Sequence, residues 1–182
     1  MKRSVISTLI PLLAIAIYLG GRYFYFKPKL IQGEKAPAFS AKLADGSPFS
    51  LSSLEGHYVL LDFWGSWCGP CRAQNRQWVD LHRQYEGRKI AGAAGFTIVS
   101  IGVETNRPSW ENAIRVDSLY WRYHILDQAS SLKFFNSPLA TQYGVKQLPT
   151  SFLLNPKGVI IASNPSPEEV AAILEKTPSK KG

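Results

Sequence analysis

The two cysteines of this chain stand three residues apart in Trp67-Cys68-Gly69-Pro70-Cys71, just after the apolar run Tyr58-Val59-Leu60-Leu61-Asp62-Phe63. This spacing suits reversible disulfide chemistry. A strand that feeds a tight turn and then a helix places Cys68 at the helix N-terminus, where unpaired backbone N–H groups and the helix dipole stabilise a thiolate. Lowering a thiol pKa from about 8.5 to about 7 raises the thiolate fraction at neutral pH from a few per cent to about half, at a gain of about 2 kcal/mol. Cys68 is therefore the expected nucleophile. Cys71, one helical turn later and shielded by Pro70 and the helix body, is expected to resolve the mixed disulfide that Cys68 forms with a substrate.

Other uses of a C-x-x-C pair fit less well. Half of a zinc site needs further ligands, but there is no other cysteine, and His57, His82 and His124 are scattered without ligand spacing. Haem attachment needs a histidine directly after the second cysteine, where this chain has Arg72. An inert structural disulfide is the remaining alternative. No metal and no cofactor are expected. Asp62 interrupts an otherwise apolar strand six residues before Cys68. A buried carboxylate there has a raised pKa and is placed to take the proton of Cys71 as it attacks; the alternative is an aspartate with its own hydrogen bonds at a strand edge.

Four further stretches stand in a fixed order: Ala36-Pro37-Ala38-Phe39, Asp45-Gly46-Ser47-Pro48-Phe49-Ser50-Leu51, Asp62 to Arg72 around the cysteines, and Tyr143-Gly144-Val145-Lys146-Gln147-Leu148-Pro149-Thr150. With them, the region from about Ala36 to Lys176 resembles the bacterial TlpA/ResA group, the membrane-anchored, thioredoxin-like thiol:disulfide interchange proteins of the cell envelope. The resemblance implies that Asp62 matches the aspartate base of thioredoxins. It also implies that Pro149 is the proline held in the cis form opposite the cysteines. A cis bond at Leu148-Pro149 leaves the adjacent backbone free to pair with an extended substrate segment, whereas an ordinary trans turn does not. Trp67, Gly69, Pro70 and Leu148 are then the expected substrate contacts, with Trp67 on an exposed rim and Trp64 equally suited to the core. The chain departs from the group just after the motif. Gln74 stands where many members have glutamate, so it can hydrogen-bond but not titrate, and Arg76 restores a backbone donor where they have proline.

The elements that must position these residues follow from the hydrophobic pattern. The region from 39 to 51 reads as a hairpin around Asp45-Gly46, and Tyr58 to Trp64 as a central buried strand. A helix from Cys71 to about Tyr85 and a strand from Phe96 to Val103 come next. Between Thr105 and Ala140 the pattern predicts a helix from Ser109 to about Val116 and a strand near Tyr123 to Leu126. Strands at Thr150 to Leu154 and Val159 to Ala162 flank the turn Asn155-Pro156-Lys157-Gly158, and a helix from Pro167 to Lys176 follows Ser166 as cap. The expected class is α/β: a thioredoxin-like fold with a central mixed β-sheet flanked by helices, an N-terminal β-hairpin and a helix/strand insertion.

The N-terminus reads differently. Lys2 and Arg3 precede an apolar stretch from Val5 to Gly21, followed by Arg22 and Tyr23-Phe24-Tyr25-Phe26. Residues 1–30 are expected to be a membrane anchor with its juxtamembrane segment, and Lys27 to Lys35 reads as a short linker; a cleaved signal peptide is the competing reading. Residues 31–176 form the expected thioredoxin-like domain and 177–182 a basic tail. The formal charge of +8 does not indicate nucleic acid, because residues 31–176 hold 14 basic and 13 acidic side chains and the excess lies in the two tails.

Together these readings predict a thiol:disulfide oxidoreductase anchored to the inner membrane of a bacterial cell envelope, its catalytic domain facing the periplasm or outside. Its expected partners are a disulfide-containing protein substrate and a membrane thiol-electron donor. The Gly69-Pro70 pair matches thioredoxin, whose potential of about −270 mV is reducing, which favours reductase over oxidase. The alternatives are a thiol peroxidase of the peroxiredoxin-related group and a tethered binding module with a structural disulfide. The peroxidase reading lacks its usual threonine three residues ahead of the cysteine, where Gly65 stands.

Overall fold

A computed structural model describes residues 2–26, 30, 32–90, 92–132 and 136–176; along the first helix, side chains are described for residues 10–22. That helix, α1 (Lys2–Phe26), carries Pro11 inside it and leaves Ile10, Leu13, Ile17 and Tyr18 more than half exposed. Among the described residues no helix is both long and apolar enough to cross a membrane. The basic tail lies outside the described residues.

The domain follows the expected order. The two-stranded antiparallel hairpin of β1 (Ser40–Lys42) and β2 (Pro48–Ser50) turns at Asp45-Gly46, where Gly46 adopts φ +83°. A short 3-10 turn (Leu51–Leu54) leads into β3 (His57–Trp64). Its nearly unbroken apolar run is buried along almost its whole length because the strand lies in the middle of a five-stranded sheet. β4 (Gly95–Glu104) lies parallel to it on one side and β5 (Tyr123–Gln128) continues parallel beyond. On the other side β6 (Thr150–Leu154) and β7 (Ile160–Ser163) run antiparallel, so the sheet is mixed. The helices α2 (Gly69–Tyr85), α3 (Arg107–Val116), α4 (Pro138–Gln142) and α5 (Pro167–Lys176) complete the domain.

The alternation of β3 divides the core. Val59, Leu61 and Phe63 pack with Phe39, Tyr143 and Phe152 on one side of the sheet. Leu60 and Trp64 pack with Trp78 of α2 and with both cysteines on the other. Asp62, between Leu60 and Trp64 in the same alternation, shares that second face.

Several features differ from the sequence reading. Helix α2 begins at Gly69, two residues before the expected Cys71, because Cys68 itself is the N-cap. The C-terminal part of the expected linker is paired: Gly33 N–H donates to the Ile160 carbonyl at 2.8 Å, and Ile160 N–H donates to the Glu34 carbonyl at 2.9 Å. β7 is an edge strand, and its outer backbone groups need partners that this segment supplies. Helix α3 begins at Arg107 instead of Ser109, because Asn106 caps it, accepting from Ser109 N–H at 2.9 Å. Helix α4 was not expected at all. Its first N–H groups are held by the buried Asp127 on β5, which accepts from Leu139 at 3.0 Å and Ala140 at 2.8 Å. The sequence carries one local start signal, Ser137 before Pro138, but Ser137 makes no side-chain cap, and the group that holds the helix start comes from another strand, which the local pattern does not show.

Candidate active site

The cysteine motif sits where β3 leaves the sheet and α2 begins. Cys68 is the N-cap of α2, with extended backbone angles, and its Sγ accepts from the Cys71 N–H at 3.3 Å. One of the helix's orphan donors therefore points at the expected nucleophile. Pro70 in the first turn costs nothing, since its missing N–H falls where no intrahelical partner exists. The two cysteines form a disulfide with Cα atoms 5.3 Å apart. Cys71 is fully enclosed, while Cys68 keeps 6% of its surface.

Trp67 is 44% exposed, whereas Trp64 is fully buried, the division expected for rim and core. The Trp67 indole is tied down: its Nε1–H donates to the Val103 carbonyl at 3.0 Å. The ring lies across Gly65, where an added Cβ meets Nε1 at 2.7 Å, so residue 65 must be glycine for the indole to take this place. The Leu148-Pro149 peptide is cis, directly before β6, which pairs with β3. Leu148 is half-buried and touches both halves of the core. Gly69 begins α2, and an added Cβ there meets nothing.

Asp62 is 1% exposed, and burial pushes its carboxyl up to about 7. The Trp78 indole on the same side opposes this rise. Neither carboxylate oxygen has a hydrogen-bond partner of normal geometry among the described residues. Its neighbours in register are Ser100 on β4 and Ser151 on β6, both buried, so a polar stripe crosses the three central strands beneath α2. The carboxyl therefore lies within the sheet with its pKa raised by burial, and no hydrogen bond of normal geometry holds it among the described residues.

A second buried carboxylate was not anticipated. Glu104, at the end of β4, is 2% exposed and accepts from the Ser66 N–H, two residues before Cys68. Burial raises its pKa, and the hydrogen bond from Ser66 opposes that. The signal was present in the sequence, for Glu104 ends an apolar strand much as Asp62 interrupts one. Arg72, Asn75 and Asp117 were also missed as a group. Arg72 and Asn75 on α2 both donate to Asp117 at the end of α3. Gln74 and Arg76 take no part in that contact. A hollow of about 420 Å³ lies elsewhere, lined by residues including His57, His82, Arg88 and Trp121, and neither cysteine borders it.

A parallel-antiparallel sheet with a cysteine pair at the first turn of the helix that follows β3, and a cis proline directly before the strand that pairs with β3, defines the class of thioredoxin-like redox proteins. A family model described as AhpC/TSA matches residues 32–163, and the chain belongs to that family. Among curated proteins it is similar to the thiol-disulfide oxidoreductase ResA of Bacillus subtilis, 26% identical over 161 residues, 88% of this chain and 81% of that one. The thioredoxin-like protein YneN of the same organism is 30% identical over 131 residues, 71% and 68% of the two chains. Among solved structures, the thioredoxin domain of a thiol-disulfide oxidoreductase from Bacteroides vulgatus superposes with a TM-score of 0.67 at 27% identity, covering 81% of this chain and 98% of that one. A thiol-disulfide oxidoreductase from Bacteroides fragilis gives 0.64 at 32% identity, over 79% and 98%. The chain is a thiol:disulfide oxidoreductase.

Proposed function

We propose that this enzyme reduces disulfides of protein substrates outside the cytoplasm, held at a bacterial inner membrane by residues 1–30. The observation that carries the chemistry is Cys68 at the α2 N-cap with the Cys71 N–H on its sulfur, and Asp62, buried on the face of the sheet that packs with both cysteines, supports it as a base whose pKa burial raises. In the reduced enzyme the Cys68 thiolate attacks one sulfur of a substrate disulfide, forming a mixed disulfide and releasing the other sulfur as a thiolate. Asp62, as carboxylate, takes the proton from the Cys71 thiol. The Cys71 sulfur then attacks Cys68 Sγ, closing the Cys68–Cys71 disulfide and releasing the second substrate sulfur. Two electrons have passed to the substrate, and a membrane thiol donor returns them by the same exchange in reverse.

Trp67, Gly69 and Pro70 form the rim against which the substrate docks, and the backbone at Leu148-Pro149 pairs with it as an added strand. A protein substrate is favoured because Cys68 opens on a rim and not into the large hollow. The peroxidase alternative finds no support at residue 65, where a threonine side chain collides with the Trp67 indole. The anchor reading draws on α1, whose 25 residues make a helix about 37 Å long, against about 30 Å of bilayer hydrocarbon. Among its described residues, Ile10, Leu12, Leu13, Ile15, Ile17, Tyr18 and Leu19 are more than half exposed. A Cys71→Ser variant expressed with its N-terminal segment tests both parts. It should accumulate mixed disulfides with cell-envelope proteins and remain with the membrane fraction after alkaline extraction. Absence of trapped partners refutes the reductase reading, and release of the full-length chain into the soluble fraction refutes the anchor.

A further inference from the structure

Two charges near the cysteines each occupy the unfavourable end of a helix. Arg72 lies in the first turn of α2, where the dipole is positive, and Asp117 caps the C-terminal end of α3, where it is negative. They meet each other. Arg72 donates to the Asp117 carboxylate through both Nε and Nη2, the latter at 2.6 Å, and Asn75 Nδ2 adds a third bond at 3.0 Å. Asp117 is enclosed, its side chain 8% exposed, and Asn75, one helical turn after Cys71, is fully buried. The remaining Nη1 of Arg72 reaches towards the Ser66 carbonyl at 3.4 Å, in the loop that carries Trp67 and Cys68.

We propose that Asp117 is a positioning residue of the redox site: it fixes the Arg72 guanidinium against the Ser66–Cys68 loop and offsets its charge, and so sets the balance between dithiol and disulfide. The proposal rests on Cys68 being the nucleophile. The reduced pair gives up two electrons and two protons as the disulfide forms, and a positive field at Cys68 favours the thiolate and with it the reduced state. Asp117 tempers that field. Other ionisable groups on the packed elements include Glu104 on β4, bonded to the Ser66 N–H, and Asp62 on β3 beneath α2.

The two partners therefore act with opposite signs. Asp117→Asn leaves the Arg72 cation without its counter-charge, so the Cys68 pKa falls and the equilibrium against a dithiothreitol redox buffer moves about threefold towards the dithiol. Arg72→Gln leaves the carboxylate uncompensated, so both quantities move about threefold the other way, and the double variant returns close to the unaltered enzyme. Thiolate absorbance followed against pH and redox-buffer titration read these directly. A clamp that only braces the helix weakens in the same sense whichever partner is removed; shifts of the same sign, or no shift in either quantity, overturn the proposal. If Asp117→Asn does not fold, Arg72→Gln against Arg72→Lys decides: glutamine must raise the Cys68 pKa while lysine, which keeps the charge, must not. Alkylation of the unaltered enzyme tests the underlying assignment separately, since faster labelling of Cys71 removes it before any variant is made.

Discussion

Replacing Asp62 by asparagine separates the cost of burying a carboxylate from its use. The ordinary aspartate value is 3.8 and the buried one about 7, so about three pH units separate the unfolded and folded chains at this site. Between those values the folded protein holds a proton that the unfolded chain has released, and stability falls as pH rises. At about 1.4 kcal/mol per pH unit, the loss between pH 4 and pH 8 amounts to about 4 kcal/mol, with no discount for solvent screening because the group is buried. The Asp62→Asn protein lacks this loss. Above pH 7 it should therefore be the more stable of the two by up to about 4 kcal/mol, and near pH 4 the two should be alike. Urea unfolding across that range measures the difference. In stopped-flow experiments with a mixed disulfide formed on Cys68, the first attack should proceed almost unchanged, while release through Cys71 slows about 100-fold near pH 7. Parallel stability curves for the two proteins would show that Asp62 carries no proton through this range, and unchanged release would leave it without a part in the chemistry.

Reduced Cys68 should alkylate at least about tenfold faster than Cys71 at neutral pH, as peptide mass mapping will show, and Cys68→Ala should abolish insulin disulfide reduction. Glu104→Ala strips the Ser66 N–H of its acceptor and should cost about 1–3 kcal/mol in chemical denaturation, with loss of reductase rate, while Glu104→Gln keeps an acceptor and most of both. Removing residues 1–30 should leave a soluble, active domain whose unfolding free energy stays within about 1 kcal/mol of the full chain, whereas removing residues 1–36 also strips the pairing along β7 and should lower it measurably.

The sequence by itself determined the chemistry and most of the frame. Two cysteines on either side of Gly69-Pro70, after an apolar strand, dictate a helix N-terminus at the first sulfur, because local backbone geometry decides where the orphan N–H groups point. Asp62 was legible for a similar reason: a lone carboxylate within a continuous apolar run has nowhere to go but inwards. What tertiary structure decided were the contacts between elements far apart in the chain. Glu104 reaches Ser66, 38 residues away, and Asp117 reaches Arg72 across 45 residues. Helix α4 is held by Asp127 from a strand, and residues 33–35 leave the linker because β7 exposes an edge. A polar group's partner at that distance is chosen by how the sheet and helices pack, and no periodicity along the chain encodes it.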